Sequence, residues 1–192
     1  MAITSLSQAI KVPIITENIS IPPFEHIVAS YADNVYNVCL GMMKNEQDAE
    51  DLAQEVFISA YTHYQSFNGQ SQIITWLYRI AVNKCLEAMR KGQRQKRKVA
   101  AVSLTEANEQ GGDRFYHPGV EIERRERSAI LFAAMDKLPE TQRVAFTLQQ
   151  VEGLSQAQIA IVMEKSESSI ESLLHRAKTN LRKTLKAYYE EH

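Results

Sequence analysis

From Phe24 onward the apolar residues recur at spacings of three and four. Phe24, Ile27, Val28, Tyr31, Val35, Val38, Cys39 and Met42 fall on one face of a helix. Asn45, with Asp48 three residues on, predicts the N-cap of a second helix in the manner of a capping box. Its inward stripe reads Ala49, Leu52, Ala53, Val56, Phe57, Ala60, Tyr61 and Tyr64. Residues 66–71 break the period with Asn68, Gly69 and Ser71 and predict a loop. A third helix is expected over about residues 72–98, with Ile73, Trp76, Leu77, Ile80, Ala81, Cys85 and Met89 inward. Three amphipathic helices with short connections suit a small helical domain.

Residues 99–120 lose the period and carry Gly111-Gly112 and Pro118, so they are expected to be a linker that permits domain motion. A second helical domain follows over 121–188. Ile130, Leu131, Ala134 and Leu138 mark one helix, ended by Pro139. Val144, Ala145, Leu148 and Val151 mark another, closed by Gly153. Residues 154–163 and 167–188 form a final pair of helices around a break near Lys165. Ahead of all this, residues 1–23 hold Pro13, Pro22 and Pro23 without a helical period and read as a flexible arm. The fold class expected is all-α, with two small helical domains joined by a flexible linker.

Composition narrows the class further. Apolar residues make up 44% of the 192, enough for a core, and 7 Gly with 5 Pro disfavour a turn-rich β protein. The absence of a long apolar run or an export-type N-terminus leads to the expectation of a cytoplasmic chain without direct membrane insertion. Net charge is −1, yet the charge is segregated: residues 1–70 carry −6 and residues 71–100 carry +7. Arg79, Lys84, Arg90, Lys91, Arg94, Lys96, Arg97 and Lys98 form that basic stretch, interrupted only by Glu87. A second basic run holds Arg176, Lys178, Arg182, Lys183 and Lys186. Any nucleic-acid contact is therefore local, a property of two stretches.

No catalytic constellation, phosphate-binding glycine loop or metal-ligand spacing is present, so neither enzyme activity nor a metal or other cofactor is expected. Cys39 and Cys85 lie on apolar helical faces and read as buried thiols. The final helix pair, with its tight turn and long basic second helix, has the pattern of a helix-turn-helix, in which the second helix enters a major groove. Ser155 is the expected N-cap of the first of the pair. On spacing alone, a solvated helical hairpin fits equally well.

The wording of the segments goes further than their spacing. Glu152-Gly153-Leu154-Ser155, Ile159-Ala160, Leu174-His175-Arg176-Ala177-Lys178 and Leu181-Arg182 resemble region 4 of bacterial sigma factors, opened by Leu138-Pro139-Glu140-Thr141-Gln142-Arg143. Asp48-Ala49-Glu50-Asp51-Leu52-Ala53-Gln54-Glu55-Val56-Phe57, Phe67-Asn68-Gly69 and Thr75-Trp76-Leu77-Tyr78-Arg79-Ile80-Ala81-Val82-Asn83 resemble region 2. The order and the intervening linker are similar to those of the two-domain extracytoplasmic-function sigma factors, over residues 24–186 or so.

The resemblance implies a subunit that carries core RNA polymerase to −35 and −10 promoter elements and melts the −10 DNA. It implies an arm at 1–23, a region 2 domain at 24–98, a linker at 99–120 and a region 4 domain at 121–188. Asp48, Glu50, Asp51 and Gln54 would dock on the β′ clamp, and the region 4 domain on the β flap. Phe67, Asn68, Gly69, Gln70, Ile80, Asn83 and Lys84 would hold −10 DNA, including a flipped base. Ser168, Ser169, Glu171, Ser172, His175, Arg176 and Lys178 would read the −35 element. An anti-sigma factor is an implied partner.

Three features depart from the family's pattern, and Trp76 is open to two readings. Ile73 and Ile74 replace an aromatic and basic pair. Glu171 and Leu173 stand where Lys or Arg is common. Trp76 falls where larger sigma factors wedge the duplex, while its spacing also fits the core. Glu164 replaces a turn glycine, which implies either a turn without positive φ or local strain. The alternative function is a stand-alone helix-turn-helix regulator, which leaves residues 67–83 unexplained.

Overall fold

The computed structural model describes residues 22–43, 45–67, 69, 71–102 and 122–191. Residues 1–21 of the expected arm at 1–23, residues 103–120 of the expected linker at 99–120, and residue 121 lie outside the described residues. Among those described there are seven α-helices and no strand, so the fold is all-α. The helices are α1 (Phe24–Met42), α2 (Glu46–His63), α3 (Ile73–Val102), α4 (Ile122–Met135), α5 (Glu140–Gln150), α6 (Gln156–Met163) and α7 (Glu167–Glu191). A 3-10 turn, Tyr64–Ser66, extends α2.

Each start has a local cause. Pro23 precedes α1, where its missing N–H costs nothing. Asn45 caps α2 by accepting the Asp48 N–H at 2.7 Å, as the sequence predicts. The reciprocal half differs: the Asp48 carboxylate accepts from the Asn45 side-chain amide at 2.9 Å. Ser155 caps α6 in a full capping box, with the Gln158 N–H donating to Ser155 Oγ and the Ser155 N–H donating to Gln158 Oε1 at 2.9 Å. α3 runs four residues beyond the expected end at 98. α4 ends at Met135, before the expected stop, and Pro139 caps α5 instead.

α1, α2 and α3 pack mutually around Ile27, Val35, Val38, Ala49, Val56, Leu77 and Ala81, all but inaccessible to solvent. Cys39 on α1 and Cys85 on α3 lie in this core as free thiols, and the hydrogen bond to Cys39, then burial, pushes the Cys85 thiol well above its ordinary range. The second domain has a core of its own from Ala134, Met135, Leu138, Phe146, Ala177 and Leu181. Its other buried apolar residues, among them Val144, Leu148, Ile159, Ile170 and Leu174, belong to one continuous cluster with the first domain. The sequence suggests two bodies free to move on a linker. In the structure they meet face to face, α5 on α1 and α6 on α3.

Polar contacts line that interface. The Arg143 guanidinium, 4% exposed, donates to the Met42 carbonyl at 3.1 Å and to the Asp136 carbonyl at 2.6 Å, and pairs with the Asp136 carboxylate at 3.1 Å. It thereby satisfies a carbonyl at the end of α1, which the helix itself leaves open. One step back, Gly41 lets α5 approach: a Cβ there would sit 2.5 Å from Thr147 Cγ2.

Candidate nucleic-acid and polymerase interfaces

Residues at 76, 80 and 83 share one face of α3, since three- and four-residue steps return to the same side of a helix. Half-buried Trp76 packs against the core and meets the ring of Phe67 from the preceding loop, centroids 5.0 Å apart and planes at 40°. Trp76 thus packs at the rim of the core, with part of its ring left accessible. Gly69 has φ +71, a conformation that favours glycine and lets the loop turn over the helix. Ile80 is half-buried beside this pair and Asn83 is exposed. The Phe67–Trp76 pair forms an aromatic ledge, with Ile80 one turn and Asn83 two turns farther along the same face of α3. Asn68 and Gln70 lie outside the described residues.

The basic residues of α3 are not all free. Lys84 Nζ lies 3.2 Å from Glu55 on α2. Arg79 turns toward the second domain, donating to the Ile161 carbonyl at 3.1 Å and lying 3.5 Å from the Glu164 carboxylate. Arg90 lies 3.8 Å from Glu140, which also accepts from the Gln93 amide at 3.0 Å. Between these pairs, Glu152 of the α5–α6 loop reaches into the interface. Its Oε2 accepts from Asn34 Nδ2 at 2.8 Å and from the Tyr78 hydroxyl, while its buried Oε1 has no hydrogen-bond partner. Burial first, and then the bond to Glu152, raises the Tyr78 phenol far above its usual range.

On α2, Asp48, Glu50, Asp51 and Gln54 are exposed, as the stripe of Leu52, Val56 and Ala60 requires. Tyr61 does not join that stripe. It and Ile58 are each 67% exposed and prolong the face of Gln54 by steps of four and three. Sequence reasoning missed both. The signal was available, because continuing the polar face at three- and four-residue steps reaches 58 and 61. Phe24 packs edge-on against Tyr61 and Tyr64, centroids 5.1 and 5.4 Å away, holding the end of this face in place.

On α7, Ser168, Glu171, Ser172, His175, Arg176 and Lys178 are exposed, and Ser169 is half-buried. Glu171, Ser172, His175 and Arg176 line one shallow depression. Ile170, Leu174, Ala177 and Leu181 face inward and fix the rotation of the helix. Ser166 caps the helix by accepting the Ser169 N–H at 3.3 Å. Glu164, at the turn between α6 and α7, has φ 53 and ψ 47. Of the two readings that the missing glycine left open, local strain is the one observed. The three sets of site residues thus occupy three separate faces. Among the described residues no cluster of metal-ligating side chains is found, and no helix is long and apolar enough to cross a membrane.

Comparison with known proteins follows the same division. The family profile "Sigma-70 region 2" matches residues 27–95, and "Sigma-70, region 4" matches residues 128–181. The chain is 32% identical over 171 residues to the ECF RNA polymerase sigma factor SigW of Bacillus subtilis, covering 85% of this chain and 89% of that one. It is 35% identical over 134 residues to the ECF RNA polymerase sigma-E factor of Escherichia coli, covering 68% and 70%. In fold it is similar to the sigma factor RpoE of Bartonella quintana, solved with the anti-sigma factor NepR. That likeness has a TM-score of 0.67 at 22% identity, over 86% of this chain and 98% of that one. With both sigma regions in order and full-length relatives above 30% identity, the chain belongs to the sigma-70 family, in its extracytoplasmic-function group, as a promoter-recognising sigma factor.

Proposed function

We propose a division of labour among the three faces. The acidic face of α2, from Asp48 through Asp51 and Gln54 and continued by Ile58 and Tyr61, docks on the β′ clamp of core polymerase. The loop at Phe67 and the α3 ledge of Ile80 and Asn83 hold a base flipped from the −10 element. The exposed face of α7 reads the −35 element, with Arg176 and Lys178 on phosphates or base edges. The functional domains correspond to residues 24–98 and 121–188, and the second also meets the β flap. The chemistry of RNA synthesis belongs to the polymerase, and this chain contributes no reaction of its own. Its place of work is the cytoplasm, and an anti-sigma factor is its natural restraint, as the Bartonella sigma factor has NepR for a partner.

The observation that carries this reading is the Phe67–Trp76 ledge with Asn83 exposed two turns along the same face of α3. A flipped base has lost its stacking and pairing, a cost of a few kcal/mol, and needs an apolar or aromatic surface plus an edge-reading group. The ledge and Asn83 supply both. Asn83→Ala removes the amide and keeps the helix, since Ala is the stronger helix former. With core polymerase in vitro, this variant is expected to form open complexes about tenfold less well on a duplex promoter. A premelted −10 bubble restores most of the loss. Equal opening by variant and parent would remove Asn83 from the pocket.

A further inference from the structure

α7 carries its charge unevenly. Arg176, Lys178, Arg182, Lys183 and Lys186 follow one another without an acid between them, and exposed Glu171 stands just ahead of them. A carboxylate on a surface that meets DNA is repelled by every phosphate near it, so its presence there calls for a cause. The fold supplies none. Glu167 lies in the first turn of α7, where negative charge favours a helix N-terminus. Glu171 lies beyond that turn and four residues from Glu167, a spacing at which like charges destabilise a helix. Among the described residues, no hydrogen bond or ion pair engages the Glu171 carboxylate. Leu173, the neighbouring departure from the family's pattern, is half-buried against the shared apolar cluster, so packing accounts for it. Packing does not account for Glu171.

Base chemistry does. Glu171 shares its shallow depression with Ser172, His175 and Arg176. Residues near the N-terminus of a recognition helix are the ones that reach base edges. In the major groove guanine shows two acceptors, thymine an acceptor and a methyl group, and adenine an acceptor beside its amino group. Each of those acceptors repels a carboxylate. Cytosine shows its N4 amino group with no acceptor beside it, so its edge alone suits a carboxylate. Arg176, five residues on, lies about 7.5 Å farther along the helix axis. That is about two base steps at roughly 3.4 Å each for a helix lying along the groove, so the two side chains meet different base pairs.

We propose that Glu171 is a specificity-determining residue of the −35 contact, its carboxylate accepting a hydrogen bond from the N4 amino group of a cytosine. The −35 element then carries a cytosine at the position facing Glu171. This rests on reading α7 as the −35 helix. The basic residues that follow supply the attraction to phosphates, and Glu171 decides which base is tolerated beneath the start of the helix.

The test uses the full chain with core polymerase and a pool of duplexes randomised upstream of a fixed transcribed region, the transcribed templates being sequenced. The parent should favour cytosine roughly tenfold at one position of the −35 element. Glu171→Ala should bring that preference near parity and leave the other positions as they were. Glu171→Gln should move it toward adenine, since an amide both accepts from N6 and donates to N7. Glu171 is exposed, and Ala and Gln are strong helix formers, so both variants should keep the parent melting temperature. Arg176→Ala tests the underlying reading, and should flatten the preference at a different position. If it flattens none, α7 is not the −35 helix and the proposal falls with that assignment. If it does so while Glu171→Ala keeps the cytosine, or raises transcription from every sequence alike, the carboxylate selects no base and the proposal alone is overturned. Loss of a preference for some base other than cytosine would overturn the choice of ligand.

Discussion

The two domains use their apolar residues differently. α1, α2 and α3 contact one another pairwise, and their stripes meet in one cluster. The second domain divides its apolar residues. Ala134, Met135, Leu138, Phe146, Ala177 and Leu181 close a private core, while Val144, Leu148, Ile159 and Leu174 continue into the cluster of the first domain. A three-helix unit with 18- to 30-residue helices has enough face to enclose itself. α5 and α6, at 11 and 8 residues, leave the second domain too shallow to cover all of its own apolar surface. The lesson is that the domain boundary in the sequence is not the boundary of the core.

Core truncations test that division most strongly. Leu148→Ala in the shared cluster and Leu181→Ala in the private core should each cost about 2–5 kcal/mol in denaturant unfolding. Their reach should differ. Amides of α1 and α3 are expected to exchange faster with deuterium in the Leu148 variant and to keep the parent rates in the Leu181 variant. Identical exchange patterns would mean that the clusters act as one.

Cap removal is a smaller probe of the same contrast. Ser155→Ala and Asn45→Ala each delete an N-cap, worth about 1 kcal/mol. The first loosens α6, which packs on α3, so its effect should cross the interface. The loss of Asn45 should stay within α2. Hydrogen exchange at α3 separates the two outcomes, and equal protection of α3 in both variants would break the comparison.

The smallest effect concerns Tyr78, the phenol that joins the domains. Its folded-state pKa is raised, by burial first and the bond to Glu152 second, above the ordinary value of 10.0. Above pH 10 the unfolded chain loses that proton while the folded chain keeps it, so stability falls as pH rises. Below pH 10 the contribution is fully present. Spectrophotometric titration should show fewer than the 8 tyrosines ionising in the ordinary range, with Tyr78 the last to lose its proton, only as the protein opens. Tyr78→Phe should flatten the alkaline loss, and a full complement of titrating tyrosines in the folded parent would contradict the seat.

Much of this was legible in the residues. The three- and four-residue spacing placed α1, α2, α5, α6 and α7 close to their observed bounds, and both Ser155 and Asn45 were read as caps. It failed where two structures share one pattern. Tyr61 continues the apolar stripe of α2 in sequence, yet lies outside it, because the edge of a stripe is decided by the neighbour that covers it. Glu164 showed that a glycine was missing without showing whether the backbone had changed or the strain had been kept.

The sequence by itself determined the helices, their inward faces, the segregation of charge and the order of the two sigma regions. Those are properties of residues near one another along the chain, where periodicity and local hydrogen bonding act. Only the tertiary structure decided that Glu140, Glu152 and Glu164 lie on α3, that Gly41 makes room for Thr147, and that Arg143 closes the end of α1. The reason is physical. A helix shows in its sequence that a face must be covered, but a glutamate 74 residues from its tyrosine has no pattern that links them until packing brings them together.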